Sequence, residues 1–227
     1  MTAPDFRDSP LGSPGQLAHE ISPEIEQAIL QLVVDGFERW QLGGFKRFGD
    51  HEDHYTVRLV ACMSEIRRER NMALVPRYQY VEASDEMLQG REDPAHAPRI
   101  DMVIARDSFA EDAYLSIECK RLALDDLARR YVVDGLDKFV RGYYGAEAQT
   151  GAMVGYVISG TADALLMRIN ARVEEAPRMG SSHTLVPADP IGWLDNVFSS
   201  NHARFAPLQA IRITHLLFDM REVGPSP

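Results

Sequence analysis

The chain is poor in cysteine, has no long apolar run and carries no surplus of positive charge. Two cysteines in 227 residues are too few for a disulfide framework or a cysteine-built zinc site. Cys62 and Cys119 both lie inside apolar patterns, where a reduced thiol behaves as a small hydrophobe. No stretch approaches the roughly 18 to 20 consecutive apolar residues that span a bilayer, and the N-terminus has neither the basic segment nor the apolar core of a secretory signal. The expected location is the cytoplasm, with no membrane partner. Lys and Arg number 24 against 34 Asp and Glu, a net charge of -10. That balance disfavours a protein that coats nucleic acid unaided, because phosphate binding rests on Lys and Arg. Internal repeats are also missing, which excludes a solenoid or an array.

What is present is an ordinary globular composition, 45% hydrophobic and 26% charged, rich enough in apolar residues to build a core. At roughly 150 residues per domain, the length implies one domain with extensions. Residues 1–20, with Pro4, Pro10, Gly12, Pro14 and Gly15, read as a disordered arm, and 21–227 as a single domain. Pro177, Pro187, Pro190 and Pro207 mark a Pro-rich insertion around 176–210.

Ser22 and Pro23 open a first helix, in which Ile25, Ile29, Leu32, Val33 and Phe37 recur at helical spacing before Gly43-Gly44 ends it. Asp50 is expected to cap a second, whose stripe is Tyr55, Leu59, Met63 and Ile66. The period then changes, predicting strands over 74–83, 99–106 and 114–122, a helix over 124–144, a strand over 152–159, a helix over 162–175 and a last strand over 211–220. A short helix over 193–199 is expected inside the Pro-rich segment. The order ααβββαβαβ implies an α/β fold, a central mixed sheet of about five strands flanked by helices on both sides.

The stretch that carries chemistry is Arg99-Ile-Asp101-Met-Val-Ile104, then a loop, then Tyr114-Leu-Ser-Ile-Glu118-Cys-Lys120-Arg121. Side chains alternate faces along a strand, so Ser116, Glu118 and Lys120 oppose Leu115, Ile117 and Cys119. In the preceding strand Asp101 opposes the apolar set Ile100, Met102 and Ile104, and hairpin pairing brings Asp101 beside Glu118. Two carboxylates on neighbouring strands suit a hard cation such as Mg²⁺. Lys120, on the same face, can orient a water and offset charge developing on a phosphorane. The ordinary alternative is the polar face of an exposed edge hairpin, and helices on either side of this stretch in the sequence argue against it.

Asp101, the 17 positions (118 minus 101) to Glu118, and Glu118-Cys119-Lys120 resemble the PD-(D/E)xK nuclease superfamily, with its restriction-endonuclease-like core. The likeness runs from about Asp50 to Ser159 in order of elements, with Ile100 standing where the family often has proline. It implies a Mg²⁺-dependent phosphodiesterase, with Mn²⁺ able to substitute, in which Asp101, Glu118 and the Cys119 carbonyl bind metal. It also implies a third acid early in the preceding helix. Glu52, followed by Thr56 and Leu59, matches that pattern, whereas Glu65 shares a mixed face with Arg58, Cys62 and Glu69.

Family members often place a Gln or Lys after the Glu-x-Lys strand, which makes Lys138, Arg141 and Gln149 candidates for substrate contact. From Lys120 to Gly145 six basic residues face four acidic ones, a local +2 that leaves -12 for the rest of the chain. Ser200, His202 and Arg204, at alternate positions before the last strand, can bind a phosphate. Against these stand blander readings: a solvated helical face for Lys138, Arg141 and Gln149, and a plain loop for Ser200, His202 and Arg204. His51 and His54 read as first-turn surface, and Phe37, Trp40, Phe139, Tyr143 and Tyr156 as core.

The expected function is hydrolysis of DNA phosphodiesters, endonucleolytic before exonucleolytic, within a defence or repair assembly. The acidic chain implies a protein partner such as a helicase, ATPase or sensor, or a homo-oligomer. The alternatives are a non-catalytic assembly module that keeps the fold and an RNA-directed nuclease.

Overall fold

A computed structural model describes residues 21–43, 51–81, 89, 91, 93, 99–106, 114–124, 127–175 and 184–221. The expected arm at 1–20, the Asp50 cap and Gly44 lie outside these residues. Helix α1 (Pro23–Leu42) starts as the sequence implies: Ser22 is its N-cap, its side chain accepts from the Ile25 amide, and Gly43 follows the last turn. Helix α2 (Glu52–Glu69) has His51 at its N-cap with no side-chain bond. Its stripe Tyr55, Leu59, Met63 and Ile66 is buried.

Strands β1 (Leu74–Val81), β2 (Arg99–Arg106) and β3 (Tyr114–Leu122) follow. The helix expected over 124–144 is shorter and irregular: α3 consists of α-helical Leu127–Arg130, π-helical Tyr131–Leu136 and α-helical Asp137–Val140. Strand β4 (Thr150–Val157) and helix α4 (Ala162–Glu174) come next. The Pro-rich segment holds no helix at 193–199. It contains strands β5 (Val186–Pro187) and β6 (Val197–His202), joined through a tight turn at Ile191–Leu194 in which Gly192 takes φ +58°. Strand β7 (Ile211–Asp219) is the last element among the described residues.

Among the described residues the sheet therefore has seven strands, not five, in the order β1-β2-β3-β4-β7-β6-β5. Its centre, β3-β4-β7, is parallel, because α3 and α4 form the crossovers. The flanking pairs β1-β2, β2-β3, β7-β6 and β6-β5 are antiparallel. One core joins α1 and α2 to Met102, Ile104, Leu115, Ile117 and Cys119. The other joins α3 and α4 to Ile100, Val103, Leu122, Ile213 and Leu217. Among the described residues no helix is long and apolar enough to cross a membrane.

One detail of β2 departs from strict alternation. Ile100 packs in the second core and not with Met102 and Ile104. The slip falls at Asp101, opposite Gln79, which takes φ +50° and interrupts the β1–β2 register between Tyr78↔Met102 and Tyr80↔Ile100. The distortion sits where a polar side chain has to turn away from its apolar neighbours.

Candidate metal centre

The β2–β3 ladder ends at Met102↔Ile117. One step further Asp101 would face Glu118 across the hairpin, but β3 there continues in parallel register with β4, Glu118 opposite Met153 and Lys120 opposite Gly155. The strands part, and a side chain takes over from the backbone: the Cys119 amide donates to Asp101 Oδ2 at 2.9 Å. Asp101 is thereby fixed against β3 from outside the ladder.

Lys120 lies between three carboxylates. Its Nζ is 2.8 Å from Glu52 Oε1, 2.8 Å from Glu118 Oε1 and 3.3 Å from Asp101 Oδ2, and it donates to the Cys119 carbonyl at 2.7 Å. Glu52 reaches the site from the first turn of α2, and its other oxygen accepts from the Arg121 amide at 3.0 Å. Glu65 pairs with Arg39 of α1 instead, at 3.6 Å. The four residues expected to form the site are thus together, and the rival acid is elsewhere.

Burial sets the electrostatics. The Glu118 side chain is 1% exposed, and desolvation, reinforced by Asp101, pushes its carboxyl up to about 7 against the pull of Lys120 and Lys138. Burial also opposes the charge on Lys120, but Glu118, Asp101 and Glu52 outweigh it and hold the ammonium above the ordinary lysine range. With all groups ionised, three carboxylates against Lys120 and Lys138 leave a formal charge of -1.

Helix α3 closes the site from above. Gly135, in the π turn, packs on the sheet: a Cβ there would meet Met153 Cε at 2.5 Å, with Lys120 Cγ at 3.4 Å and Glu118 Cγ at 3.7 Å in ordinary contact. A π turn takes an extra residue per hydrogen-bonded ring, and here Arg130, Asp134 and Lys138 all line one cleft of about 350 Å³ with His51, Glu52, Lys120 and Arg121. Lys138 Nζ is 3.2 Å from Glu118 Oε1 and donates to Tyr144 Oη at 2.7 Å; that hydroxyl donates to the Arg99 carbonyl at 2.8 Å. Tyr144, Arg121, Arg130 and Asp134 were not singled out from sequence, and His51 was read as first-turn surface; the π turn at Tyr131–Leu136, which holds Asp134, leaves no sequence pattern.

The donor set bears on a cation in two ways. Among the described residues Glu118 Oε2 is buried with no hydrogen-bond partner, an arrangement that costs free energy unless something else binds it. Among the described residues, however, no three His, Cys, Asp or Glu side chains close around one point, because the Lys120 ammonium stands among them. Asp101, Glu118 and the Cys119 carbonyl fit a hard cation that keeps several waters.

The remaining candidates lie apart. Arg141 is exposed, just beyond α3. Gln149 is in the loop before β4 and not in a helix; it lines a separate cleft with Glu26 and Arg212. Ser200 and His202 lie on β6, not in a loop, and are 2% and 3% exposed. Ser200 Oγ is 2.8 Å from both His215 Nε2 and His202 Nε2, and His215 Nδ1 is 2.9 Å from the Tyr131 hydroxyl. Arg204, also buried, donates to the carbonyls of Gly145 and Ala148 at 2.9 and 2.7 Å. The hydrogen bonds of Ser200 and His202 are internal because these two residues are on the buried face of β6. Phe37, Trp40, Phe139 and Tyr156 are core as expected, whereas Tyr143 is 56% exposed.

Comparison of the chain with family models, curated proteins and solved structures returns no match.

Proposed function

We propose that the chain is a Mg²⁺-dependent nuclease of the PD-(D/E)xK type, acting on DNA, with Mn²⁺ able to substitute. The observation that carries this reading is the convergence of Asp101, Glu52 and buried Glu118 on Lys120, with one Glu118 oxygen left without a hydrogen-bond partner among the described residues. Asp101, Glu118 and the Cys119 carbonyl would hold the metal, with Glu52 completing the set. A metal so held supplies a Lewis acid for the phosphoryl oxygen and lowers the pKa of a bound water.

The chain's own groups supply the rest. Lys120, kept protonated by its acids, donates to the attacking oxygen and orients it towards phosphorus. Lys138 and Arg130, on the cleft wall, offset charge on the phosphate. Buried Glu118 and the roof at Gly135 restrict water to the open side of the cleft. The net charge of -10 supports action within an assembly whose partner, a helicase, ATPase or sensor, adds substrate affinity; a homo-oligomer would serve equally. The same charge favours a second reading, an assembly module that keeps the site as an ion cluster.

The test is incubation of wild type, Lys120→Ala and Glu118→Ala with linear and circular DNA, single- and double-stranded, and with RNA, in Mg²⁺, Mn²⁺ or EDTA. Metal-dependent cleavage by wild type alone is expected, and a preference for RNA would reassign the substrate. If nothing is cut, Mn²⁺ calorimetry decides: binding that Glu118→Ala abolishes keeps the metal centre, and no binding leaves the assembly module.

A further inference from the structure

Exposed apolar residues scattered singly are ordinary, but exposed aromatics on neighbouring loops call for a reason. Among the described residues Tyr143, Trp193 and Phe205 are the exposed aromatics, at 56%, 42% and 59%. Trp193 stacks on Phe37 with centroids 6.1 Å apart. Tyr143 and Phe205 are on two loops that pack on each other. Leu208 lies directly over Gly142, and Arg204 reaches across to the carbonyls of Gly145 and Ala148.

The geometry of the helix end ties this face to the cleft. Gly142 takes φ +76°, its amide donates to the Phe139 carbonyl at 3.1 Å and the Tyr143 amide to the Lys138 carbonyl at 2.9 Å. That pair of bonds is a Schellman motif, which brings the residue after the glycine next to the one five positions before it, here Tyr143 to Lys138. A side chain at 142 would be strained by φ and would displace the end of Leu208. Arg141, exposed, adds a cation at the same corner. Arg130 and Lys138 line the cleft with Asp134 between them, and Arg141 follows just past the end of α3, two residues before Tyr143.

We propose that Tyr143 and Phe205, with Arg141, bind an unpaired stretch of nucleic acid by base stacking and hold it at the Lys138 end of the cleft. This rests on the nuclease reading and extends it: the substrate is single-stranded or has a splayed end, and a blunt duplex is a poor one. Stacking tolerates any base because every base has a π-face, while cations follow the backbone. In a duplex the same faces are occupied by neighbouring bases, so the rings gain nothing from it. A chain with a charge of -10 benefits from a binding term that is not electrostatic.

The test is fluorescence anisotropy in EDTA at low salt, using the full chain and labelled oligothymidylate, oligouridylate and a blunt DNA hairpin. Wild type is expected to bind one or both single strands more tightly than the hairpin, and the tighter strand names the polymer. Tyr143→Ala and Phe205→Ala should each weaken that binding by about fivefold or more, while Tyr143→Phe stays within about twofold, since the ring and not the hydroxyl stacks. Equal affinity for hairpin and single strands, or unchanged binding in both alanine variants, overturns the proposal. Binding without metal does not depend on cleavage. Single-strand binding through these rings by a protein that cuts nothing in Mg²⁺ or Mn²⁺ would preserve the platform and remove the nuclease. Cleavage of blunt duplex by both alanine variants at the wild-type rate would do the reverse.

Discussion

Among the described residues two polar clusters are buried against the sheet, and they are built on opposite principles. In the run Tyr131–His215–Ser200–His202, both ring nitrogens of His215 and the Ser200 hydroxyl are matched at 2.8 to 2.9 Å. Burial, with His202 nearby, drives the His215 imidazole down to about 3, so it is neutral. Around Lys120 the groups are charged, a buried carboxylate oxygen has no partner, and one side opens to a cleft. A matched cluster around neutral His215 ties α3, β7 and β6 together. A charged and incompletely matched one is poised for something to bind.

The sharpest way to break the contrast is to remove a cation. Lys120→Met leaves Glu52, Asp101 and Glu118 facing one another, and in metal-free protein it should cost about 3–5 kcal/mol, the usual penalty for orphaning a buried charge. Urea denaturation in EDTA measures it. Added Mn²⁺ should restore part of the loss in the variant, because a cation can then take the ammonium's place among the acids. A loss under about 1 kcal/mol would mean that the site behaves as a surface ion pair.

The clusters also respond to pH with opposite sign. The Glu118 carboxyl is raised from 4.5 to about 7, so between these values the native state keeps a proton that the unfolded chain has released. Stability of the metal-free protein therefore falls as pH rises through that window, by about 3 kcal/mol. His215 is lowered from 6.5 to about 3, so the unfolded chain binds the extra proton and stability falls as pH drops below 6.5. Glu118→Gln should abolish the first slope and leave the second. Chemical denaturation at steps from pH 4 to 8 separates them, and a wild-type curve parallel to that of Glu118→Gln would show that Glu118 titrates normally.

Smaller again is the effect of opening the matched cluster. Ser200→Ala leaves His215 Nε2 and His202 Nε2 without the hydroxyl that lies 2.8 Å from each. The expected cost is about 1–3 kcal/mol with cleavage per folded molecule unchanged. Loss of cleavage at full folding would return Ser200 to the substrate side.

The sequence revealed the acidic site better than its surroundings because strand alternation is a short-range rule. Ser116, Glu118 and Lys120 share a face whatever the rest of the chain does, and the register that brings Asp101 towards Glu118 needs only a hairpin. The stripe on α2 placed Glu52 for the same reason. Strand β6 was missed because Ser199, Ser200, Asn201 and His202 read as a polar loop; only packing beside β7 and Tyr131 makes two of them interior. The π turn in α3 was equally hidden. It brings Gly135 over Glu118 and Lys138 onto it, contacts that depend on β3 and β4 already being in place.

At the boundary between the two designs stands Tyr144, buried like the first cluster but joined to the second. Its hydroxyl accepts from Lys138 and donates to the Arg99 carbonyl, so one oxygen ties the cleft wall to the strand that carries Asp101. Burial, with Glu118 and Asp101 close by, holds the phenol above its ordinary range and keeps the proton in place. Tyr144→Phe should cost only about 1 kcal/mol of stability, since the ring, 1% exposed, still fills its place. The informative readout is kinetic. If Tyr144 positions Lys138 on Glu118, kcat falls while substrate KM holds, and Tyr144→Phe lowers kcat no further once Lys138→Ala is in place. Additive losses would mean that the two act separately and that the hydroxyl belongs to the matched, structural kind.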